Sequence, residues 1–245
     1  MHGTTSNRDN VCAAYKRVLL KLSGEALAGK GTILSHEMLT ETSLQIKRCH
    51  SLGVQFAIVI GAGNIWRGSR QGGLTIDRVR GDHMGMLSTV INSLAMQDYL
   101  MKTGVDTVVM SAIRIDQICE PYSQYKAAEH LDAGRCVIIA CGVGYPYFST
   151  DTGMILRAAE LNADIVLSAK HVDGVYDKDP NLYPDAIKFE KLTYDELIAR
   201  DLKVIDGAAG ALARENHIKQ LLFSLDPPEN IYRAVIGERT GTLIE

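Results

Sequence analysis

The sequence predicts an α/β fold in which one mostly parallel sheet is covered by helices on both faces, and three observations carry that expectation. Short apolar runs rich in β-branched residues, such as RVLLKL at 17–22, FAIVI at 56–60 and CVIIAC at 136–141, alternate with longer stretches of helical period. A strand buried on both faces needs an unbroken apolar run, and parallel neighbours need a crossover between them. Several of these runs end in Gly-rich turns, and no repeat, low-complexity tract or linker interrupts the alternation.

The first strand, from Arg17 to Leu22, leads into Ser23-Gly24-Glu25. A lysine at its end, Lys21, followed by Ser-Gly, is placed to meet phosphate oxygens. From Gly24 to Thr32 the chain reads GEALAGKGT, close to a P-loop, but Gly31 stands where that motif needs a hydroxyl for Mg²⁺ and no helix begins there. A helix is expected from Ser35 to near Gly53, with Met38, Leu39, Thr42, Ile46 and Cys49 on one face. The strand from Phe56 to Ile60 then enters Gly61-Ala62-Gly63-Asn64-Ile65-Trp66-Arg67-Gly68. That stretch lacks the third glycine of a dinucleotide fingerprint; it is either a structural turn or a backbone anion cradle with one guanidinium attached.

Residues 69–81 are polar, Gly-rich and basic and read as a mobile loop. Asp82 is expected to open a long helix to about Lys102, with Leu87, Val90, Ile91, Leu94 and Met101 as its apolar stripe; Asp82 is then either the N-cap or a ligand group. A strand from Thr107 to Met110, a helix from Ser123 to Ala133 and the strand from Cys136 to Cys141 follow. That last strand leads into GVGYPYFSTD, Gly142 to Asp151, a strand, Gly-rich turn and helix start in succession. Its glycines admit close backbone approach, and its Ser, Thr and Asp sit at a helix N-terminus that favours anions. The plain alternative is a tight connection capped by Ser149 or Asp151.

Beyond a strand from Asp164 to Ser168 comes AKHVDGVY, ending at Tyr176. Its Asp173-Gly174 pair either makes a hairpin turn or leaves Tyr176, between Lys170 and Asp179, to line a purine pocket. Thr193 to Glu196 is a capping box, so Glu196 needs no catalytic role. Asp206 caps an Ala-rich helix ending near His217, and a strand from Gln220 to Ser224, a helix from Pro228 to Val235 and a strand from Gly241 to Ile244 complete the chain.

Composition narrows the function. At 245 residues, 46% apolar and 22% charged, the chain has ordinary globular content, and a net charge of −3 gives no whole-chain case for nucleic acid or an anionic membrane. Five scattered cysteines without a C-x-x-C pair favour reduced thiols in a cytoplasmic protein over a disulfide framework or zinc site. No apolar run approaches the ~18 residues of a spanning helix. Residues 1–14 are too polar for a signal peptide and read as a loosely ordered extension before a single domain over 15–245. In open α/β sheets ligands bind at the carboxyl ends of strands, where Lys21, the Gly61 loop, the Gly142 loop and Lys170 would converge. Several phosphate-ready strand ends point to two phosphorylated ligands and hence to phosphoryl transfer.

Taken in order, KRVLLKLSGEAL, VIGAGNIWRG, RGDHMGML, MSAI, the loop ending STD, VDGVYDKDP, LKVIDGAA and GTLI resemble the bacterial uridylate kinases of the amino acid kinase superfamily, from about Lys16 to Glu245. The resemblance implies a three-layer αβα sandwich around a mainly parallel eight-stranded sheet, a homohexamer, and the reaction of MgATP with UMP to give ADP and UDP, with UTP as feedback inhibitor. It implies Lys21, Ser23, Gly24, Gly63 and Arg67 at the ATP phosphates, Lys170, Tyr176 and Asp179 at its adenosine, and Leu22 as a further ATP-binding residue. Ala62, Asp82 and the run Val143, Gly144, Tyr145, Pro146, Tyr147, Phe148, Ser149 and Thr150 would hold UMP. Lys21, Arg67, Asp151 and Lys170 would be the catalytic groups, with Mg²⁺ arriving on ATP and no protein-held metal.

The chain departs from the family pattern at Val143, Tyr145, Tyr147 and Ser149, and it carries Ser168 where many relatives have lysine. It is also shorter between Leu27 and Ser35. Other readings are a superfamily kinase acting on a carboxylate and a non-catalytic nucleotide-binding oligomer. The chemistry suits the first reading: an acceptor phosphate, with a second pKa of about 6, needs placement and charge stabilisation more than a strong base.

Overall fold

A computed structural model describes residues 11–66, 76–202 and 204–245. In chain order the elements are β1 (Arg17–Leu22), α1 (His36–His50), β2 (Gln55–Ile60), α2 (Arg78–Thr103), β3 (Thr107–Ser111) and β4 (Glu120–Pro121). They continue with α3 (Gln124–Asp132), β5 (Cys136–Ala140), α4 (Thr150–Glu160), β6 (Ile165–Lys170), β7 (Val175–Tyr176), β8 (Lys188–Phe189) and β9 (Lys191–Leu192). Last come α5 (Tyr194–Ala199), α6 (Gly207–Glu215), β10 (Gln220–Ser224), α7 (Asn230–Val235) and β11 (Gly241–Ile244). Of the extension read at 1–14, residues 1–10 lie outside the described residues, as do residues 69–75 of the loop read at 69–81, and so does Arg67. Ala14 already bonds through its N–H to the Val235 carbonyl.

The main sheet runs β4-β3-β5-β2-β1-β6-β10-β11-β9, parallel throughout except where β11 pairs antiparallel with β10. Among the described residues nine strands therefore stand where eight were expected. The surplus is at the edges, where β4 and β9 are two residues each, too short to carry any period in the sequence. Alternation in β1 explains the three layers. Val18, Leu20 and Leu22 enter the core beneath α1, α2 and α7, whereas Leu19 enters the core beneath α3, α4, α5 and α6. β2 repeats the pattern, with Phe56, Ile58 and Ile60 on one side and Ala57 and Val59 on the other. Strand β1 is the central switch: the chain leaves it for β2 on one flank and reaches β6 on the other only after β5. Crevices form at such points.

Most caps fall where the sequence puts them. Ser35 accepts from Met38 N at 3.3 Å, Thr193 and Glu196 form the reciprocal box, and Asp206 accepts from Ala209 N at 3.0 Å. Helix α2 differs. It begins at Arg78, capped by Asp77, which accepts from Arg80 N at 3.2 Å, so Asp82 lies inside the helix and is no cap. Its stripe differs as well: Met86, Val90, Met96 and Leu100 are buried, while Leu87, Ile91 and Met101 are 51%, 48% and 55% exposed. The helix is apolar on two sides, and the reading selected parts of both. No tight hairpin forms at Asp173-Gly174, since β7 pairs with β8 across an 11-residue excursion that no short turn could span, and not with β6.

Candidate active site

Three charged side chains meet at the carboxyl ends of β1 and β6. Lys21 is the penultimate residue of β1, Lys170 the last of β6, and Asp151 stands in the first turn of α4. Lys21 Nζ lies 3.3 Å from Asp151 Oδ1 and Lys170 Nζ 3.4 Å from Oδ2. Lys170 Nζ also donates to the Val204 carbonyl. Burial opposes the charge on Asp151, but the two ammoniums outweigh it and hold the carboxyl below the usual carboxylate range. For Lys170, burial dominates and lowers its pKa despite Asp151. Asp206 adds a weaker attraction on Lys170, and the two ammoniums, largely removed from water, gain from an anion that reaches them.

Ser168, in the position where a lysine was looked for, is fully buried and pairs in register with Lys21, so Lys170 is the lysine that reaches the aspartate. Close backbone packing builds the neighbouring loops. A Cβ on Gly24 would stand 2.4 Å from the Gly61 carbonyl, and one on Gly63 would stand 2.7 Å from Glu25 Oε1. The N–H groups of Ile65 and Trp66 both donate to the Ala62 carbonyl, tightening the turn after β2. Leu22 is buried at the end of β1, and Ser23 N donates to Ala169 O at 3.2 Å.

A cavity of about 330 Å³ opens between the start of α2 and the Gly142 loop. Of the expected acceptor residues it gathers Ala62, Asp82, Val143, Tyr145, Phe148, Ser149 and Thr150, together with Gly63, which was expected at the ATP phosphates. Asp82 pairs with Arg78 at 2.9 Å and accepts from Tyr147 N at 2.8 Å, so one carboxylate ties helix to loop. Tyr147 meets the site through this backbone bond. Gly144 and Pro146 shape the loop without lining the cavity; Gly144 has φ of 88° and sits against Ala112, where a Cβ would come within 3.1 Å of the carbonyl. The indole of Trp66 covers Gly81 and Gly85, where side chains would meet it at 3.8 and 3.6 Å.

On the other side of Lys170 a cavity of about 610 Å³ is lined by Tyr176, Asp179, Gly174 and Arg200. Tyr176 donates to Asp173 Oδ1 at 2.8 Å, and Asp179 accepts from Asn181 N at 2.9 Å. A further cavity of about 470 Å³ joins Lys170 and Asp151 to Asp206 and Ile205. Asp206 does more than cap α6. It accepts from Thr152 Oγ1 at 3.1 Å and from Ser149 Oγ, and Ser149 in turn caps α4, so this carboxylate joins the starts of two helices. The sequence shows the cap but not the cross-helix bonds. Trp66, Thr152 and Arg200 were also missed, because each acts through tertiary contact rather than through a local motif.

The model of the Amino acid kinase family matches residues 16–224. Among solved structures, the chain is similar to UMP kinase from Bacillus anthracis, at 40% identity and TM-score 0.90 over 94% of this chain and 96% of that one. It is similar to UMP kinase from Ureaplasma parvum, at 35% identity and TM-score 0.89 over 94% and 98%. Uridylate kinase from Archaeoglobus fulgidus is more distant, at 26% identity and TM-score 0.73 over 93% and 99%. With the sheet order, the paired lysines and these likenesses in agreement over nearly the whole length, the chain belongs to the amino acid kinase family.

Proposed function

We propose that this kinase transfers the γ-phosphoryl group of ATP to UMP. One observation carries the reading: the Lys21, Asp151 and Lys170 cluster has a cavity on either side. Lys170 lines the space that Tyr176 borders, and Thr150, the neighbour of Asp151, lines the space that Asp82 borders. The first space takes the adenosine of the donor. The second, with one carboxylate suited to a ribose hydroxyl and with Trp66 and Phe148 in its walls, takes a nucleoside monophosphate. The identity of the base rests on the likeness to UMP kinases.

The donors around the cleft suit phosphate oxygens directly. Asp151, the carboxylate of the cluster, is engaged by two lysines. These residues fit Mg²⁺ carried in on the nucleotide, with the phosphates and water as its main ligands. Bound that way, Mg²⁺ would supply positive charge against the transferring phosphates. Lys21 and Lys170 stabilise charge on the transferred group, Asp151 holds both ammoniums toward one point, and the backbone at Ser23, Gly24 and Gly63 borders the phosphates. Arg67 is assigned to the same phosphates on sequence grounds.

Purified protein with MgATP is expected to phosphorylate UMP far faster than AMP or CMP, with Asp82→Ala raising KM for UMP more than it lowers kcat. Equal rates on the three acceptors would sink the assignment of the base, and an unchanged KM would remove Asp82 from the acceptor. UTP, sharing the uridine, is expected to raise the apparent KM for UMP in the same assay.

The outward apolar residues of α2 support self-association, to a homohexamer on the family pattern. Leu87 and Ile91, four residues apart on α2 and 51% and 48% exposed, share one helix face that such an interface would cover. Paired substitution of Leu87→Asp and Ile91→Asp is expected to lower the mass measured by sedimentation, whereas an unchanged mass would place the interface elsewhere. Among the described residues no helix is long and apolar enough to cross a membrane.

A further inference from the structure

Asn92 sits in the middle of α2 and is 0% exposed. A buried amide is costly unless all its groups are paired. Here they are. Asn92 Nδ2 donates to the Gly61 carbonyl at 2.7 Å and to Asn64 Oδ1 at 2.8 Å. In return, Asn64 Nδ2 donates to Asn92 Oδ1 at 3.0 Å and to the Ile33 carbonyl at 2.6 Å. The two carbonyl acceptors fix the orientation of both amides, because flipping either would set oxygen against oxygen.

The pair touches every segment that must be aligned. Gly61 begins the turn whose next two residues, Ala62 and Gly63, line the acceptor cavity, and Thr89, one turn before Asn92, lines it from the helix. The donor loop presses on the same point, since a Cβ on Gly24 would stand 2.4 Å from Asn64 Oδ1. Ile33 belongs to the segment between β1 and α1.

We infer that Asn92 and Asn64 are positioning residues that set the distance between the donor phosphate loop and the acceptor helix. The inference rests on the kinase reading above. In-line transfer requires reacting atoms about 3–3.5 Å apart, and a misplacement near 1 Å costs on the order of 100-fold in rate. A reciprocal amide pair between loop and helix resists such a shift more stiffly than apolar packing, which tolerates sliding.

The test compares Asn64→Ala, Asn92→Ala, the double variant and Asn92→Asp with the wild-type chain, reading kcat and both KM values for MgATP and UMP alongside thermal unfolding by circular dichroism. Each single variant is expected to lose at least about tenfold in kcat with KM changed less than about threefold. The double variant should be no worse than the poorer single one, as for groups acting as a unit. Asn92→Asp keeps the volume but cannot donate to Gly61, so it should lose kcat as Asn92→Ala does. Variants that unfold at lower temperature yet keep wild-type kcat would overturn the inference and leave the pair a packing feature. Should the Asn92 variants fail to fold, Asn64→Ala, at a half-buried position, decides the matter by the same ratio. A wild-type chain inactive on UMP would instead strike the reading of the acceptor, and the ratios would then be taken with whichever monophosphate is phosphorylated.

Discussion

Lys21→Ala is expected to lower kcat at least about 100-fold while the protein stays folded. That loss corresponds to about 2.7 kcal/mol of transition-state stabilisation, the size expected when one main charge donor is removed from a preorganised site. Lys21 is only 8% exposed, and its ammonium sits 3.3 Å from Asp151, so its charge acts where water screens it weakly. Removing it also changes Asp151. With one of its two cations gone, burial counts for more and the carboxyl moves back up toward its ordinary range. Lys21→Arg should rescue little, because a planar guanidinium does not fit a slot shaped by a lysine stem between β2 and β6. Steady-state kinetics with MgATP and UMP, together with an unfolding curve, check both points. A folded Lys21→Ala protein with wild-type turnover would take Lys21 out of the chemistry.

The strand ends were readable for a physical reason. In a parallel sheet covered on both faces strands are largely apolar, so Lys21 near the end of RVLLKL and Lys170 closing IVLSAK stand out as charges at the carboxyl ends of such runs. That break marks the functional edge without any motif. Helix α2 shows where local reading fails. Asp82 reads as the opening of the helix because the polar, Gly-rich and basic stretch at 69–81 before it reads as loop, whereas the cap is Asp77. The helix starts at Arg78 under the Asp77 cap, and Trp66 packs over Gly81 and Gly85 within its first two turns. That contact spans the chain from 66 to 85 and leaves no periodic trace.

The same distinction separates Lys170 from Asp206. The lysine was legible as a charge at a strand end; Ser168, which stands where many relatives have lysine, is buried, and it is Lys170 that reaches Asp151. Asp206 was legible only as a cap. Its second function, receiving Ser149 and Thr152 from another helix, depends on α4 and α6 packing side by side, which sequence spacing does not encode.

Asp151→Asn is expected to reduce kcat by a similar factor and to move the alkaline limb of kcat/KM for ATP to lower pH. The wild-type carboxylate is the main influence keeping Lys170 charged against burial, and Lys21 acts the other way. Without it, burial and Lys21 both favour the neutral amine, so Lys170 gives up its proton earlier as pH rises. The kcat/KM profile reports groups of the free enzyme and therefore registers the shift. Stability follows the opposite edge of the pH scale. A carboxyl held below its unfolded value stabilises the fold fully above that value and loses the contribution as pH falls through the folded value. The stability gap between wild type and Asp151→Asn is thus widest near neutrality and closes in acid. Removing one partner of a buried pair costs about 3–5 kcal/mol, and the 17% exposure of this side chain favours the low end. Denaturant titrations from pH 3 to 7 and rate profiles from pH 7 to 10 measure the two effects separately. An unmoved alkaline limb with full turnover would mean that Asp151 does not organise the lysines, whatever its distance from them.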